Sequence, residues 1–382
     1  MRLLEAEGAL RLTLAAVGDV GVLGSVRRRA ASEGPDAPFA ALAPHARAAD
    51  LAFANLEFPV GERAWVRPGR ADEFFHDAGV PAALARAGFR VVSLANNHMM
   101  DCGERGLART LDACRSAGLA AVGAGADLEA ARTPARIEVR GVRVVVLAYA
   151  TAGGDAATSG RAGVAPLEPE LVAADLARWR PQADVLVVSV HWGSMYVDFP
   201  PPRVVGMAKS IAAAGADLVL GHHPHVLQGA ARVGRTLVLY SMGDAVFDGR
   251  SGDFEASVAA LTRRESGVFT ARFGESAHGL ELAALKLDPD GVPGEPAGTE
   301  ARAQAERFAA LSAGLADAAA RFAAEGAPKL LQYELQSLGT YLRQGRWDRV
   351  AKLLGGVRPR HLPLLWQAVT RRGRGRTPPA AR

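Results

Sequence analysis

Apolar residues along this chain gather in short unbroken runs, separated by stretches of helical period. The runs are RLTLAAV (11–17), DLAFA (50–54), RVVSLA (90–95), RVVVLAY (143–149), DVLVVSV (184–190), DLVL (217–220) and TLVLYS (236–241). They are rich in Val and Leu and do not alternate with polar residues, so they predict strands covered on both faces. Between them, PAALARAG (81–88), GLARTLDACRSAG (106–118), LEPELVAADLARWR (167–180) and PRVVGMAKSIAAAG (202–215) have helical spacing, with Gly118 and Gly215 where helix C-caps are expected. Strand alternating with helix predicts a layered α/β fold over residues 10–287.

The pattern changes after residue 285. DPDGVPGEPAG (288–298) reads as a Pro/Gly linker, and 299–326 as a helix with Thr299 placed to cap it. Residues 329–370 read as further helix, giving a helical C-terminal segment over 299–370. The end, RRGRGRTPPAAR (371–382), carries five arginines and no acid and reads as a basic disordered tail.

Composition adds limits. The 382 residues suffice for one large or two smaller domains, and 49% hydrophobic with 22% charged residues is ordinary for a soluble globular protein. The net charge of +5 comes largely from the tail. No aromatics interleave with its arginines, so no specific nucleic-acid partner is expected. Cys102 and Cys114 make neither a disulfide framework nor a CxxC pair. Glu5 and Glu7 interrupt the N-terminus, no signal peptide is read there, and no stretch reaches membrane-spanning length. A cytoplasmic protein is expected.

The candidate chemistry stands at the C-terminal ends of five of the expected strands. Gly18-Asp19 follows the first, Asn55-Leu56-Glu57 the second, and Asn96-Asn97-His98 with Asp101 the third. His191-Trp192-Gly193 follows 184–190, and Gly221 with His222, His223 and His225 follows 217–220. Ligands of layered α/β sheets bind outside the carboxyl ends of strands. Asp, Glu, Asn and His form a mixed oxygen/nitrogen donor set suited to Mn, Fe or Zn, with no thiolate to select a soft ion. Two ions roughly 3.5–4 Å apart hold the attacking water and the leaving oxygen of a phosphoester. If 222–225 is extended, His223 and His225 face one site and His222 points elsewhere, to a substrate phosphate or to groups behind the ligands.

Each segment has a bland reading. Gly18-Asp19 alone is a strand-to-helix turn, Asn96-Asn97 alone a turn, and His191 alone a hydrogen-bonded core histidine. Taken together, the five favour a metal. His45, His76, His278 and His361 lie off these strand ends and read as surface or core residues, and Cys102, Met99 and Met100 as packing.

AAVGDVGVLG, DLAFANLEFPV, GFRVVSLANNHMMDCGERGL, VVSVHWGSMY, GADLVLGHHPHVLQG and LVLYSMGDAVFD, in this order from about Leu14 to Asp248, resemble the CapA family of poly-γ-glutamate capsule biosynthesis, within the calcineurin-like metallophosphatase superfamily. The resemblance implies an α/β/β/α sandwich with an added C-terminal helical segment. It implies Asp19, Glu57, Asn97, His191, His223 and His225 as ligands of one or two divalent ions (Mn, Fe or Zn), with Glu57 bridging and Asn55 its motif partner. It implies His98 as the group that protonates the leaving oxygen, with Asp101 beside it. Asn55, Asn96, His222, Trp192 and Asp244 are the expected substrate contacts. Two departures stand out. The superfamily's Asp-x-His is Asp19-Val20-Gly21 here, and the family's Ser-Leu-Gly-Asn is Ser241-Met242-Gly243-Asp244.

The first functional expectation is a metal-dependent hydrolase of phosphoesters acting on an anionic small molecule or polymer. Amide-forming chemistry in γ-glutamyl polymer synthesis is a second reading. It needs a separate ligase partner, because no phosphate-binding Gly-x-x-x-x-Gly-Lys-Ser/Thr loop is present. A third is a non-catalytic accessory that binds an acidic polymer or a synthase through the cleft and the helical C-terminal part.

Overall fold

The protein was analysed as a computed structural model that describes residues 2–151, 153–248 and 263–343, with 345, 347 and 350. Two sheets form its centre. The first runs β1 (Arg2–Leu4), β16 (His278–Leu287), β15 (Glu265–Gly274), β2 (Leu10–Gly21), β3 (Leu51–Leu56), β4 (Val91–Ser93), β5 (Ala120–Val122); β14 (Asp244–Phe247) pairs with the end of β2 and β17 (Pro293–Gly294) with β16. The second runs β12 (Ala230–Val233), β13 (Thr236–Leu239), β11 (Leu218–His222), β10 (Val185–His191), β8 (Val142–Ala150), β7 (Ala135–Val139). A small pair, β6 (Ala124–Gly125) with β9 (Gly163–Val164), lies outside both.

Period-two side-chain alternation sorts the second sheet into two layers. Val144, Val146 and Ala148 of β8 join a core shared with Leu14, Phe53 and Val91 of the first sheet. Val145, Leu147 and Tyr149 join a second core with Leu176, Ala208 and Ile211 of helices Pro169–Trp179 and Pro202–Ala213. The outer face of the first sheet is covered by Phe39, Leu42, Leu84 and Leu107 from its own helical segments. The layers are therefore helix, sheet, sheet, helix. Both faces of the central strands are dry, which is why their sequences are unbroken apolar runs.

All seven expected runs contain strands, and the four expected helices are present as Val80–Ala87, Gly103–Ser116, Pro169–Trp179 and Pro202–Ala213. Gly118 and Gly215 follow helix ends with φ of 74° and 96°, the left-handed backbone that glycine adopts without a Cβ penalty. Gly18-Asp19 is not a turn. β2 runs through it to Gly21, and a Cβ on Gly18 would collide with the Gly243 carbonyl, so only glycine allows the two chain segments to close. Thr299 is not a cap either: it lies in the first turn of helix Gly298–Ala313, where the Ala297 N–H donates to Glu300 Oε2 at 3.3 Å.

That helix packs on the sheets. Phe308 is buried 5.4 Å from Phe269, Gln304 donates to the Ser266 carbonyl, and the Ala230 N–H donates to Ser312 Oγ at 3.0 Å. Segment 288–298 carries β17, and the Asp288 side chain accepts from the Asp290 and Val292 N–H groups. A further helix spans Ala327–Arg343. The expected helix over 351–370 and the basic tail lie outside the described residues. Among the described residues no helix is long and apolar enough to cross a membrane.

Candidate metal centre

Parallel pairing aligns the polar strand ends. Asn55 pairs in register with Asp19, Asp19 with Asp244, and His191 with His222. The carboxyl ends of both sheets thus open on one cluster. Asp19 is fully buried; its Oδ1 accepts from Asn55 Nδ2 at 2.8 Å and lies 3.1 Å from His222 Nδ1, and its Oδ2 accepts from the His223 N–H at 3.2 Å. Burial opposes ionisation of Asp19, but the His222 hydrogen bond and the neighbouring imidazoles outweigh it and hold the carboxyl below its usual range.

Glu57 lies one residue past β3, with 0% exposure, and neither carboxylate oxygen has a hydrogen-bond partner. Its Oε1 sits 3.7 Å from His225 Nε2 and 3.9 Å from His191 Nε2, between the two imidazoles. Burial and the Asp19 charge push its carboxyl well above the ordinary value. His225 Nδ1 is 2.8 Å from Asp244 Oδ1 and 3.6 Å from Asp19 Oδ2. Burial alone would lower the His225 pKa; the acidic groups around it and the Asp244 hydrogen bond override it and raise it to about 10. Both shifts answer the same condition, three carboxylates in a dry pocket with too little positive charge.

Donor atoms of Asp19, Glu57 and His225 lie within 4.8 Å of one another. A second group adjoins them: His191 Nε2 is 2.7 Å from Asn97 Oδ1 and 3.1 Å from His223 Nδ1. Burial and the neighbouring imidazoles lower His191 well below the ordinary value and His223 to about 3. Neutral imidazole is the form that ligates metal. Oxygen and nitrogen donors, two of them orphaned carboxylate oxygens, make a set that fits a divalent ion.

The 222–225 segment is not extended. His223 and His225 have φ of 94° and 54°, so alternation does not govern them and all three imidazoles converge on the cluster. His222 is buried against Asp19 and steadies that carboxylate, out of a substrate's reach. Three other expected substrate contacts are also turned away. Asn55 spends its amide on Asp19. Asn96 donates to the Leu56 carbonyl at 2.9 Å and accepts from the His98 N–H at 3.1 Å, which shapes the loop. Trp192 is 2% exposed in the second core, its indole N–H on the Tyr240 carbonyl at 3.0 Å. Asp244 faces His225.

His98 and Asp101 are together. His98 Nδ1 is 2.7 Å from Asp101 Oδ2, and Asp101 Oδ1 is 2.9 Å from Arg70 Nε. The imidazole lies between Phe58 and Phe74, with ring centroids 4.7 and 4.9 Å away. Residue 21, the missing Asp-x-His histidine, has no room for a side chain: a Cβ there would meet Phe247 at 2.8 Å and Phe58 at 2.9 Å. Sequence reasoning missed Arg70 and Tyr196. Tyr196 sits five residues past His191, its ring 6.0 Å from that of His225. Burial pushes its phenol well above the ordinary value. The cue was its place in HWGSMY, directly after a strand-end histidine.

Fold and cluster together describe a helix–sheet–sheet–helix protein with a buried carboxylate–imidazole centre at the shared carboxyl edge. Residues 13–249 match the family described as Bacterial capsule synthesis protein PGA_cap, and the chain belongs to that family. It is 34% identical over 247 residues to the capsule biosynthesis protein CapA of Bacillus anthracis, covering 62% of this chain and 60% of that one. It is 33% identical over 243 residues to the PGA biosynthesis protein CapA of Bacillus subtilis, covering 62% and 63%. The chain thus spans less than two thirds of these relatives' length. A probable polyglutamine synthesis accessory protein of Mycobacterium tuberculosis is 35% identical over 218 residues, covering 53% and 56%. Among solved structures, a hypothetical protein from Thermus thermophilus superposes with TM-score 0.47 at 18% identity, covering 72% of this chain and 99% of that one. A putative 5'-nucleotidase from Staphylococcus aureus does so with TM-score 0.45 at 14% identity, covering 78% and 58%.

Proposed function

We propose that the chain is a metal-dependent hydrolase of phosphoester type, serving synthesis of a capsule-type γ-glutamyl polymer in the cytoplasm. The observation that carries this reading is Glu57, whose two oxygens are buried and unpartnered, with Oε1 within 3.9 Å of both His191 and His225. Asp19, Glu57 and His225 would hold one ion, and Glu57, Asn97, His191 and His223 a second. The ions supply a water of lowered pKa and neutralise phosphoryl charge.

The chain's own groups do the rest. His98 would act as the imidazolium: Asp101 accepts from Nδ1–H and its carboxylate stabilises the charged ring, and the Nε2 proton passes to the leaving oxygen, which leaves neutral imidazole behind. Arg70 fixes Asp101 in turn. Phe58 and Phe74 keep water from the sides of the His98 ring. The family supports an anionic polymer as substrate and a synthase as partner.

The test is elemental analysis of protein purified without chelator, beside a His223→Ala/His225→Ala variant, followed by a phosphoester panel and fractionation of the producing cells. One or two equivalents of Mn, Fe or Zn, lost in the variant, with hydrolysis of at least one phosphoester by soluble protein, is the expected result. No metal after reconstitution refutes it. A second reading, a non-catalytic accessory, is favoured by the closed space at Gly21, which removes one ligand position. Metal uptake without hydrolysis of any phosphoester selects that reading.

A further inference from the structure

Helices Gly298–Ala313 and Ala327–Arg343 lie beyond the family match, which ends at residue 249. Both nevertheless reach the loop that follows His191. Asp198 of that loop receives Arg307 Nη2 at 2.8 Å and Lys329 Nζ at 2.8 Å, one cation from each helix. Phe199 lies under Arg321 at 5.1 Å, and a Cβ on Gly314 would meet the Phe199 ring at 2.7 Å. The loop is therefore held from outside by the C-terminal helices. From inside, the Tyr196 N–H donates to the Pro224 carbonyl at 2.8 Å and Gln228 Nε2 to the Val197 carbonyl at 2.7 Å.

What this clamp holds is Tyr196. Its φ of 61° is left-handed backbone, which a non-glycine residue keeps only when its surroundings impose it. Its ring packs 6.0 Å from His225 on one side and 5.5 Å from Tyr333 of the last helix on the other. His225, also left-handed, is its direct neighbour, and left-handed His223 packs 6.0 Å from His225 in turn. Tyr196, Asn97, His98 and His223 are partly exposed, whereas Asp19 and Glu57 are fully buried. A phenol is a neutral hydrogen-bond donor at physiological pH, and this one lies beside the His225 imidazole of the cluster.

We propose that Tyr196 contacts substrate, its phenol O–H donating to a phosphoryl oxygen held at the cluster, and that the two C-terminal helices are the outer wall that positions it through Asp198 and Tyr333. This rests on the metal-centred reading above. It gives a task to a part of the chain outside the family match: the helices complete the pocket.

Inorganic phosphate is the probe, titrated calorimetrically into full-length metal-loaded protein, with metal content measured on every variant. Tyr196→Phe removes only the hydroxyl and is expected to weaken phosphate binding on the order of tenfold, the scale of one hydrogen bond to a charged group, with metal content unchanged. Asp198→Asn is expected to weaken it in the same direction, and Tyr196→Phe on that background to add less than it does alone, because residues acting through one contact are non-additive. Tyr333→Phe, which keeps the ring, is expected to bind as wild type. Unchanged phosphate affinity in Tyr196→Phe at full metal content overturns this proposal alone. Additive effects of Asp198→Asn and Tyr196→Phe overturn the positioning role of the helices. Wild-type protein that takes up no metal overturns both this proposal and the reading beneath it.

Discussion

Replacing Glu57 by glutamine separates the charge of this residue from its shape. The side chain is fully buried, neither oxygen is hydrogen-bonded, and burial with the Asp19 charge favours the protonated acid in metal-free protein. Exchanging a neutral carboxyl for a neutral amide of nearly the same volume should then cost metal-free stability no more than about 1–3 kcal/mol, the range for a buried polar group left unpaired. With metal the two proteins must diverge. An ion at a hundredfold excess over its dissociation constant stabilises the wild type by about 2.7 kcal/mol. At roughly 2–4 °C per kcal/mol for a domain of this order of size, that is a rise in Tm of roughly 5–11 °C. The glutamine variant lacks the oxygen anion that faces both imidazole groups, and its rise should shrink to about 2 °C or less at the same concentration. The assay is calorimetric melting of chelator-treated protein with Mn, Zn or Fe added back. Equal metal-dependent shifts in the two proteins refute Glu57 as a ligand. A metal-free variant destabilised by more than about 3 kcal/mol refutes the neutral acid, because only an ionised, structurally engaged carboxylate would cost that much.

Other outcomes follow from the same geometry. Metal must displace protons from Glu57 and His225, both of which hold theirs above the ordinary range, so affinity should rise with pH; calorimetry in two buffers of different ionisation enthalpy reads the protons released, and none released refutes the account. His98→Asn should lower kcat for the best phosphoester by roughly a hundredfold or more while leaving metal content unchanged. His76, whose Nε2 accepts from the Val22 N–H, is held down to about 3 by burial and Arg27. An unfolded chain takes a proton there below about pH 6.5 and the folded one does not, so this group's contribution falls as pH drops from about 6.5 toward 3. His76→Gln should accordingly flatten the stability-versus-pH curve over that interval, read from urea midpoints at pH 7 and pH 5. Phe308→Ala should cost about 3–5 kcal/mol by emptying the seat of the first C-terminal helix against Phe269, measured by denaturant unfolding.

The doubly covered strands were legible because dry faces leave unbroken Val and Leu runs, as in DVLVVSV, and a reader needs only the run to find the strand. The hairpin of β15 and β16 was not, because GVFTARF and GLELAALKL alternate: Phe269, Ala271 and Phe273 are buried while Thr270 and Arg272 are half-buried. A search for continuous apolar segments passes over such strands, although alternation is itself a strand signal. At the centre, residue types and strand-end positions were readable, and these residues do converge. Orientation was not. Left-handed backbone at His223 and His225 overrides the alternation that an extended segment would impose, and Trp192 turns into the core because its indole N–H finds the Tyr240 carbonyl there. Tyr196 depends on contacts with residues more than a hundred positions away, which no local pattern carries.

The path of the chain through the two sheets also sets an order of events during synthesis. The second sheet comes from one continuous stretch, Ala135–Leu239, and its six strands can pair once that stretch has left the ribosome. The first cannot finish. β2 is complete at Gly21, yet the strands that close its other edge begin only at Asp244 and Glu265. At 5–20 residues per second, the open edge of β2 waits roughly 10–50 s for them. For that interval the nascent chain presents unpaired backbone beside Asp19, which makes the first sheet the place where a chaperone, or a second nascent chain, would find an edge to pair with.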